Sequence, residues 1–243
     1  MKKSILLSCA LLISNSAFAS EHSHWGYSGD NGPENWATLS GDNFACTGKN
    51  QSPINLTGSI ESELQPLKFH YQTGGNEIIN NGHTVQVNYE KGSYIEVNGK
   101  QFDLLQFHFH APSENHIKGE SFPLEAHFVH ANKNGQLAVV AVMFKKGNEN
   151  KGLAAAWEKM PQNEGDNHLF VENITANSIL PSNKEYYRFN GSLTTPPCSE
   201  GVLWFVMKEV VEASESQIDA FKAAMQGPNN RPLQKINARV VLQ

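Results

Sequence analysis

Cysteine is scarce in this chain: three occur in 243 residues, Cys9, Cys46 and Cys198. Basic residues are few as well, 19 Lys and Arg against 24 Asp and Glu, and they gather into no run and no arginine-rich helix. A nucleic-acid-binding chain needs such a patch to neutralise phosphates, so that class is excluded. Internal repeats, low-complexity tracts and long linkers are absent, which leaves one domain as the simplest organisation. Beyond the first residues no apolar segment approaches the ~20 residues of a membrane-spanning helix, so no membrane association is expected.

The apolar stretch that bears on targeting stands at the start. Lys2 and Lys3 precede a short apolar stretch, Ile5 to Ile13, and Ala17-Phe18-Ala19 closes it with an A-x-A pattern. That is the layout of a secretory signal peptide over residues 1–19, leaving residues 20–243 as the mature domain. The competing reading, a buried N-terminal helix, lacks an amphipathic continuation in Ser20-Glu21-His22-Ser23. Loss of the two lysines moves the formal charge from −5 to −7. A short Lys-Lys signal points to a bacterium, so the expected address is the periplasm, with secretion as the alternative. Cys9 leaves with the signal. Cys46 and Cys198 are then either joined, as suits an exported protein, or two separate buried thiols. A bridge between them would stabilise by at most about 5 kcal/mol.

The middle of the chain is strand-like. Residues 84–89, 94–97, 102–110, 124–130, 137–144 and 202–208 are short runs rich in β-branched and aromatic side chains. Turns at Lys91-Gly92-Ser93, Asn98-Gly99-Lys100 and Lys133-Asn134-Gly135 separate them, and Asn98-Gly99 is a strong hairpin signal. Helices are few. Ser214 to Gln217 fits a capping box, Ile218, Phe221 and Met225 then share a helical face, and Gly227-Pro228 stops the run. Leu153 to Met160 is a second, shorter candidate. The expected fold is mostly β, one domain with peripheral short helices.

Alternation along a strand puts Gln106, His108 and His110 on one face and Leu105, Phe107 and Phe109 on the other, toward apolar packing. His-x-His alone is weak, since polar residues on an exposed strand look the same. In the next strand Glu125, His127 and Val129 share a face, with His130 opposite as a packed or hydrogen-bonded residue. If the strands pair, His127 supplies a third imidazole, and three neutral nitrogens leave one tetrahedral position of a zinc ion open, as catalysis requires. Gln106 and Glu125 sit where they can accept the ring N–H that each ligand does not give to the metal. Ordinary buried polar residues with backbone partners remain the alternative for both.

His108-Phe109-His110 followed by Glu125-Ala126-His127-Phe128-Val129-His130 resembles the zinc-binding signature of the α-class carbonic anhydrases. The match runs almost end to end: Trp25-Gly26-Tyr27, Asn31-Gly32-Pro33-Glu34-Asn35-Trp36, Gln51-Ser52-Pro53-Ile54-Asn55, Asn80-Asn81-Gly82-His83, Ser113-Glu114, Gly191 to Pro197, and Asn230-Arg231-Pro232. It is closest to the bacterial exported members, including the cysteine pair Cys46 and Cys198.

The resemblance implies a large, twisted, mainly antiparallel central sheet with one zinc at the base of a conical cleft. It implies reversible hydration of carbon dioxide to bicarbonate and a proton, by attack of zinc-bound hydroxide, with weak esterase activity on the side. His108, His110 and His127 would bind zinc. Thr194 would accept a hydrogen bond from the hydroxide and donate one to Glu114, which as a carboxylate only accepts. Val129, Val139, Leu193, Thr195, Val202 and Trp204 correspond to the substrate pocket. His83 matches the proton-shuttle histidine, and Tyr27, Asn81 and Gln86 match residues that order water between it and the metal. A turn histidine after Asn81-Gly82 is the plainer reading of His83. Sulfonamides and small anions are the inhibitors expected at the zinc, and a homodimer is compatible with the resemblance. Ser52-Pro53 and Pro196-Pro197 match cis peptide bonds of the family. Two departures stand out: Ala111-Pro112 in place of the usual Trp-Gly of animal members, and Asn230 in place of Trp before Arg231. Competing functions are a silent binding module, a zinc hydrolase acting on esters, and a zinc carrier.

Overall fold

The computed structural model describes residues 24–243; the expected signal peptide, with Cys9, lies outside the described residues. The strands in chain order are β1 (Asn55–Leu56), β2 (Lys68–His70), β3 (Gly75–Asn80), β4 (Val85–Tyr89), β5 (Tyr94–Val97), β6 (Lys100–His110) and β7 (His116–Ile117). They continue as β8 (Leu124–Ala131), β9 (Leu137–Lys146), β10 (Asn167–Ile174), β11 (Tyr186–Ser192), β12 (Glu200–Met207) and β13 (Val211–Ala213). The helices are short: α1 (Trp36–Leu39), α2 (Lys151–Trp157) and α3 (Glu215–Met225).

Eleven strands form one sheet in the order β10-β3-β4-β6-β8-β9-β12-β11, with β5 on β6, β2 on β5 and β13 on β9. Within this sheet pairing is antiparallel except for β12 and β13, which both run parallel to β9. The mainly antiparallel sheet implied by the resemblance is therefore present. The Asn98-Gly99 hairpin is also found: both residues take positive φ, 49° and 73°, between Val97 and its partner Lys100, as a tight two-residue turn requires.

The central strands are buried on both sides, and their alternate residues feed two separate apolar clusters. Phe107, Phe109, Ala126, Phe128, Val140, Val142 and Phe205 pack on one face, under Leu153 and Ala156 of α2 and Ile218 and Phe221 of α3. Val129, Val139, Ala141, Val202, Trp204 and Phe189 pack on the other. The first face closes the sheet against helices; the second carries the histidines.

One sequence expectation fails at β6. Leu105 is 47% exposed, while Phe102 and Leu104 join Phe107 and Phe109 in the core. The register against β8 slips between Leu104 and Gln106. Leu105 is the extra residue of a β-bulge, which resets the alternation midway along the strand. The helix ends also differ in detail. Ser214 and Gln217 form the expected capping box, but the left-handed residue that ends α3 is Gln226, with φ 56°, one before Gly227. Gln217 further exchanges hydrogen bonds with the backbone of Asn150, the N-cap of α2, so the two helix starts are laced together. Ser52-Pro53 and Pro196-Pro197 are cis, as is Ala111-Pro112.

Candidate metal centre

β6 and β8 pair so that His108 lies opposite His127 and His110 opposite Glu125. Because β6 is regular beyond its bulge, Gln106, His108 and His110 all face the side occupied by Glu125, His127 and Val129. The three imidazoles converge: one nitrogen from each lies within 4.8 Å of the other two. His110 and His127 are each 1% exposed.

Two of the remaining nitrogens are hydrogen-bonded, which decides those tautomers. His110 Nδ1 donates to the carbonyl oxygen of Asn229 at 2.7 Å, and a carbonyl can only accept. His108 Nδ1 donates to Gln106 Oε1 at 2.8 Å. His127 Nε2 lies 2.9 Å from Glu125 Oε1, off the line of an ideal hydrogen bond. The nitrogens left over are Nε2 of His108, Nε2 of His110 and Nδ1 of His127. Glu125 is itself pinned, accepting from the backbone N–H groups of Glu114 (2.6 Å) and Asn115 (2.9 Å) and from Asn115 Nδ2 (2.8 Å).

Burial dominates the electrostatics. It lowers the pKa of all three histidines, those of His108 and His127 furthest, with neighbouring imidazoles adding to the effect for these two. The rings are thus neutral, the form a metal needs. Burial also raises Glu114 well above the ordinary carboxyl range, opposed by the Arg231 backbone N–H and then the Thr194 hydroxyl. Glu114 Oε1 accepts from Arg231 N at 2.8 Å. Its Oε2 has no hydrogen-bond partner among the described residues and faces His110 Nε2 at 3.5 Å and His127 Nδ1 at 3.9 Å. Thr194, 5% exposed, is near enough to act on this carboxyl, but forms no hydrogen bond of normal geometry with it.

Lone pairs of buried nitrogens converging on one another, beside an unpartnered carboxyl oxygen, are costly unless something electron-poor lies among them. His110 Nε2 is such an orphan. Three neutral nitrogens, two on rings with a hydrogen-bonded outer partner and the third on a ring whose other nitrogen lies 2.9 Å from Glu125, fit zinc, which favours nitrogen donors and keeps a position open in catalytic sites.

The wall beside the histidines is apolar. Val129, Val139, Val202 and Trp204 belong to one buried cluster, with Leu193 packed against it, and the Trp204 ring meets His127 edge-on at 5.0 Å. Leu193, Thr194 and Thr195 ride on a tight loop: Cys198 N donates to Thr195 O (2.8 Å) and Leu193 N to Ser199 O (3.0 Å). Cys198 is joined to Cys46 by a disulfide, with Cα atoms 4.9 Å apart.

The polar residues expected along a proton route have varied surroundings. His83 is half-buried and stacks flat on Trp25 at 3.7 Å, with His24 at 5.8 Å; burial and then His24 lower its pKa, while Glu164 opposes them. Asn81 spends its side-chain oxygen on the turn, accepting from His83 N (3.0 Å) and Thr84 N (2.9 Å). The Tyr27 hydroxyl is buried without a partner among the described residues, and burial and then Glu114 push its pKa well up. Gln86 lies opposite His108 in the β4–β6 pair.

Three positioning residues carry no role in the sequence reading. Asn229 bonds to His110 through its backbone, and through its side chain to Ala111 N (2.8 Å), Phe109 O (2.9 Å) and His83 O (3.0 Å). Arg231, 2% exposed, braces Glu114 and anchors its guanidinium on Gln51 Oε1 and Ser52 O, both at 2.8 Å, beneath the Trp36 ring. Asn115 holds Glu125. The Asn230-Arg231-Pro232 motif was the available signal for Arg231; nothing in the sequence marks Asn229.

The family model of eukaryotic-type carbonic anhydrases matches residues 31–243. A carbonic anhydrase of Pectobacterium carotovorum is 45% identical over the whole of both chains. One of Neisseria gonorrhoeae is 46% identical over 98% of this chain and 96% of its own. The α-carbonic anhydrase of Thermovibrio ammonificans, solved with the inhibitor sulfanilamide, superposes with a TM-score of 0.89 at 47% identity, covering 91% of this chain and 99% of that one. A family model over most of the chain, full-length relatives of one name and a shared fold agree with the three-histidine centre: the chain belongs to the α-carbonic anhydrase family and is a carbonic anhydrase.

Proposed function

We propose that this carbonic anhydrase hydrates carbon dioxide through one zinc ion held by His108, His110 and His127. The observation that carries this reading is the convergence of one neutral nitrogen from each of the three histidines, two of whose rings are already held by a hydrogen bond at their other nitrogen. When bound, zinc supplies a nucleophile near neutral pH by lowering the pKa of a coordinated water to about 7, a value known for carbonic anhydrases themselves.

The chain's own residues do the rest. Val129, Val139, Leu193, Val202 and Trp204 form an apolar surface that suits a small neutral molecule and excludes competing water. Glu114, pinned by Arg231, orients the Thr194 hydroxyl, which selects a donor at the open position and rejects groups that cannot donate. The Thr194 backbone N–H would donate to an oxygen of bicarbonate or of an inhibitor. His83, near the surface and with a pKa below the usual imidazole value, passes the proton to buffer. The same centre gives weak hydrolysis of activated esters. Sulfonamides and small anions bind at the metal; the Thermovibrio relative was solved with such a sulfonamide. The protein is exported to the periplasm after removal of residues 1–19.

Stopped-flow hydration of carbon dioxide tests the reading, before and after chelation and zinc restoration. Fast hydration that disappears with the metal and returns with it is expected. A folded protein holding one zinc without hydration overturns the reading and favours an ester hydrolase or a binding role. The mass of the exported protein, short by residues 1–19, checks the address.

A further inference from the structure

Beside His108 the histidine-side face of β4 and β3 carries a chain of amides ending in a carboxylate. Gln86 Nε2 donates to Asn88 Oδ1 at 2.6 Å, Asn88 Nδ2 donates to Glu77 Oε2 at 2.7 Å, and Asn167 Nδ2 donates to Glu77 Oε1 at 2.9 Å. Strand register places Glu77 opposite Asn88, Asn88 opposite Gln106 and Gln86 opposite His108. Their neighbours Val85, Val87 and Tyr89 pack into the helix-side core, so Gln86 and Asn88 face the metal centre's side.

The direction of this chain is forced. An ionised carboxylate only accepts, so Asn88 must turn its NH2 to Glu77 and its oxygen to Gln86. Gln86 must then spend an N–H on Asn88, which leaves its Oε1 without a protein donor among the described residues. Gln106 is fixed the opposite way, because its Oε1 takes the His108 N–H. The wall thus offers water an acceptor at Gln86 and donors at Gln106, side by side. We propose that Glu77 is a positioning residue that, through Asn88, sets the orientation of the Gln86 amide and thereby the order of the water that carries the proton out of the cleft. This inference rests on the carbonic anhydrase reading.

The test compares the zinc-loaded wild type with Glu77→Gln and Gln86→Leu, and the double variant. A glutamine at 77 can donate as well as accept, so the chain loses its direction while keeping its length. Glu77→Gln is expected to lower kcat in weak buffer about tenfold, the lower edge of what an outer-shell partner contributes. It should leave kcat/KM for carbon dioxide within about twofold, because capture precedes proton release. In the Gln86→Leu background the same change should add nothing. The Gln86 side-chain amide signals in NMR, assigned by their loss in Gln86→Leu, should shift in Glu77→Gln. Unmoved amide signals, equal losses in kcat and kcat/KM, or additive losses in the double variant overturn the proposal. A wild type that holds zinc but hydrates nothing defeats the carbonic anhydrase reading instead, and the amide signals still decide whether Glu77 orients Gln86.

Discussion

His127 and His130 stand three residues apart on β8, both buried and both held neutral by burial. They point to opposite faces of the sheet. His130 is saturated: its Nδ1 donates to Ala138 O at 3.2 Å, and its Nε2 accepts from the Tyr71 hydroxyl at 2.7 Å. His127 has one nitrogen near Glu125 and the other directed at its fellow histidines with nothing to bond. Burial and a shifted pKa are therefore common to a structural histidine and a ligand. What separates them is a lone pair left over, in company with others.

That comparison is most sharply tested at the ligands. His127→Ala should abolish stoichiometric zinc and reduce hydration by more than the ~10–100-fold that loss of an outer partner costs. Metal analysis beside stopped-flow assays reads both. One step out, Gln106→Leu removes the acceptor of the His108 N–H while leaving all three ligands. Zinc affinity, measured by chelator competition, should fall about 10- to 100-fold, since tautomer and ring orientation are no longer fixed. Equal affinities in Gln106→Leu and the wild type would show that the outer partners are incidental.

Further from the metal, His83 is neither saturated like His130 nor aimed like His127. It is half-buried against Trp25, and burial and His24 lower its pKa while Glu164 opposes them. NMR titration should place its pKa below 6.5, and lower still in Glu164→Gln. His83→Ala should lower turnover in weak buffer about 10- to 100-fold, at or below the usual range for a positioned proton carrier, and imidazole in the medium should restore it.

Much of this contrast is legible in the sequence, because period-two alternation in β8 and the upper half of β6 assigns each histidine to a face. The same rule fails at Leu105, where the bulge inserts a residue that composition does not announce. β3 and β10 escape detection for a different reason. Gly75, Asn76 and Glu77 lack strand propensity, and β10 is an edge strand whose Leu169 and Val171 are exposed, so neither shows a buried pattern. Asn229 is illegible because it holds His110 through a backbone carbonyl 119 positions away, a role that no residue type specifies. The parallel pairing of β12 with β9 is likewise a matter of chain routing.

The smallest effect on activity is expected at His130, and it tests the comparison from the other side. His130→Phe should leave zinc content and hydration within about twofold of the wild type, since its partners lie on the helix-side face. Stability should change in two ways. At pH 7 the Tyr71 hydroxyl and Ala138 carbonyl lose their partner, at a cost of about 1–3 kcal/mol. The acid dependence should also flatten. His130 has its pKa lowered to about 3 in the folded protein, against about 6.5 when unfolded. Between those values the unfolded chain binds a proton that the folded one refuses, so stability falls as pH drops from 6.5 toward 3. The phenylalanine variant cannot contribute that slope. Denaturation at pH 7 and pH 5 should therefore show a variant that is the less stable at neutrality but loses less on acidification. Loss of zinc in the same variant would mean that the two faces of β8 are coupled, and that saturation of His130 is part of how His127 is held.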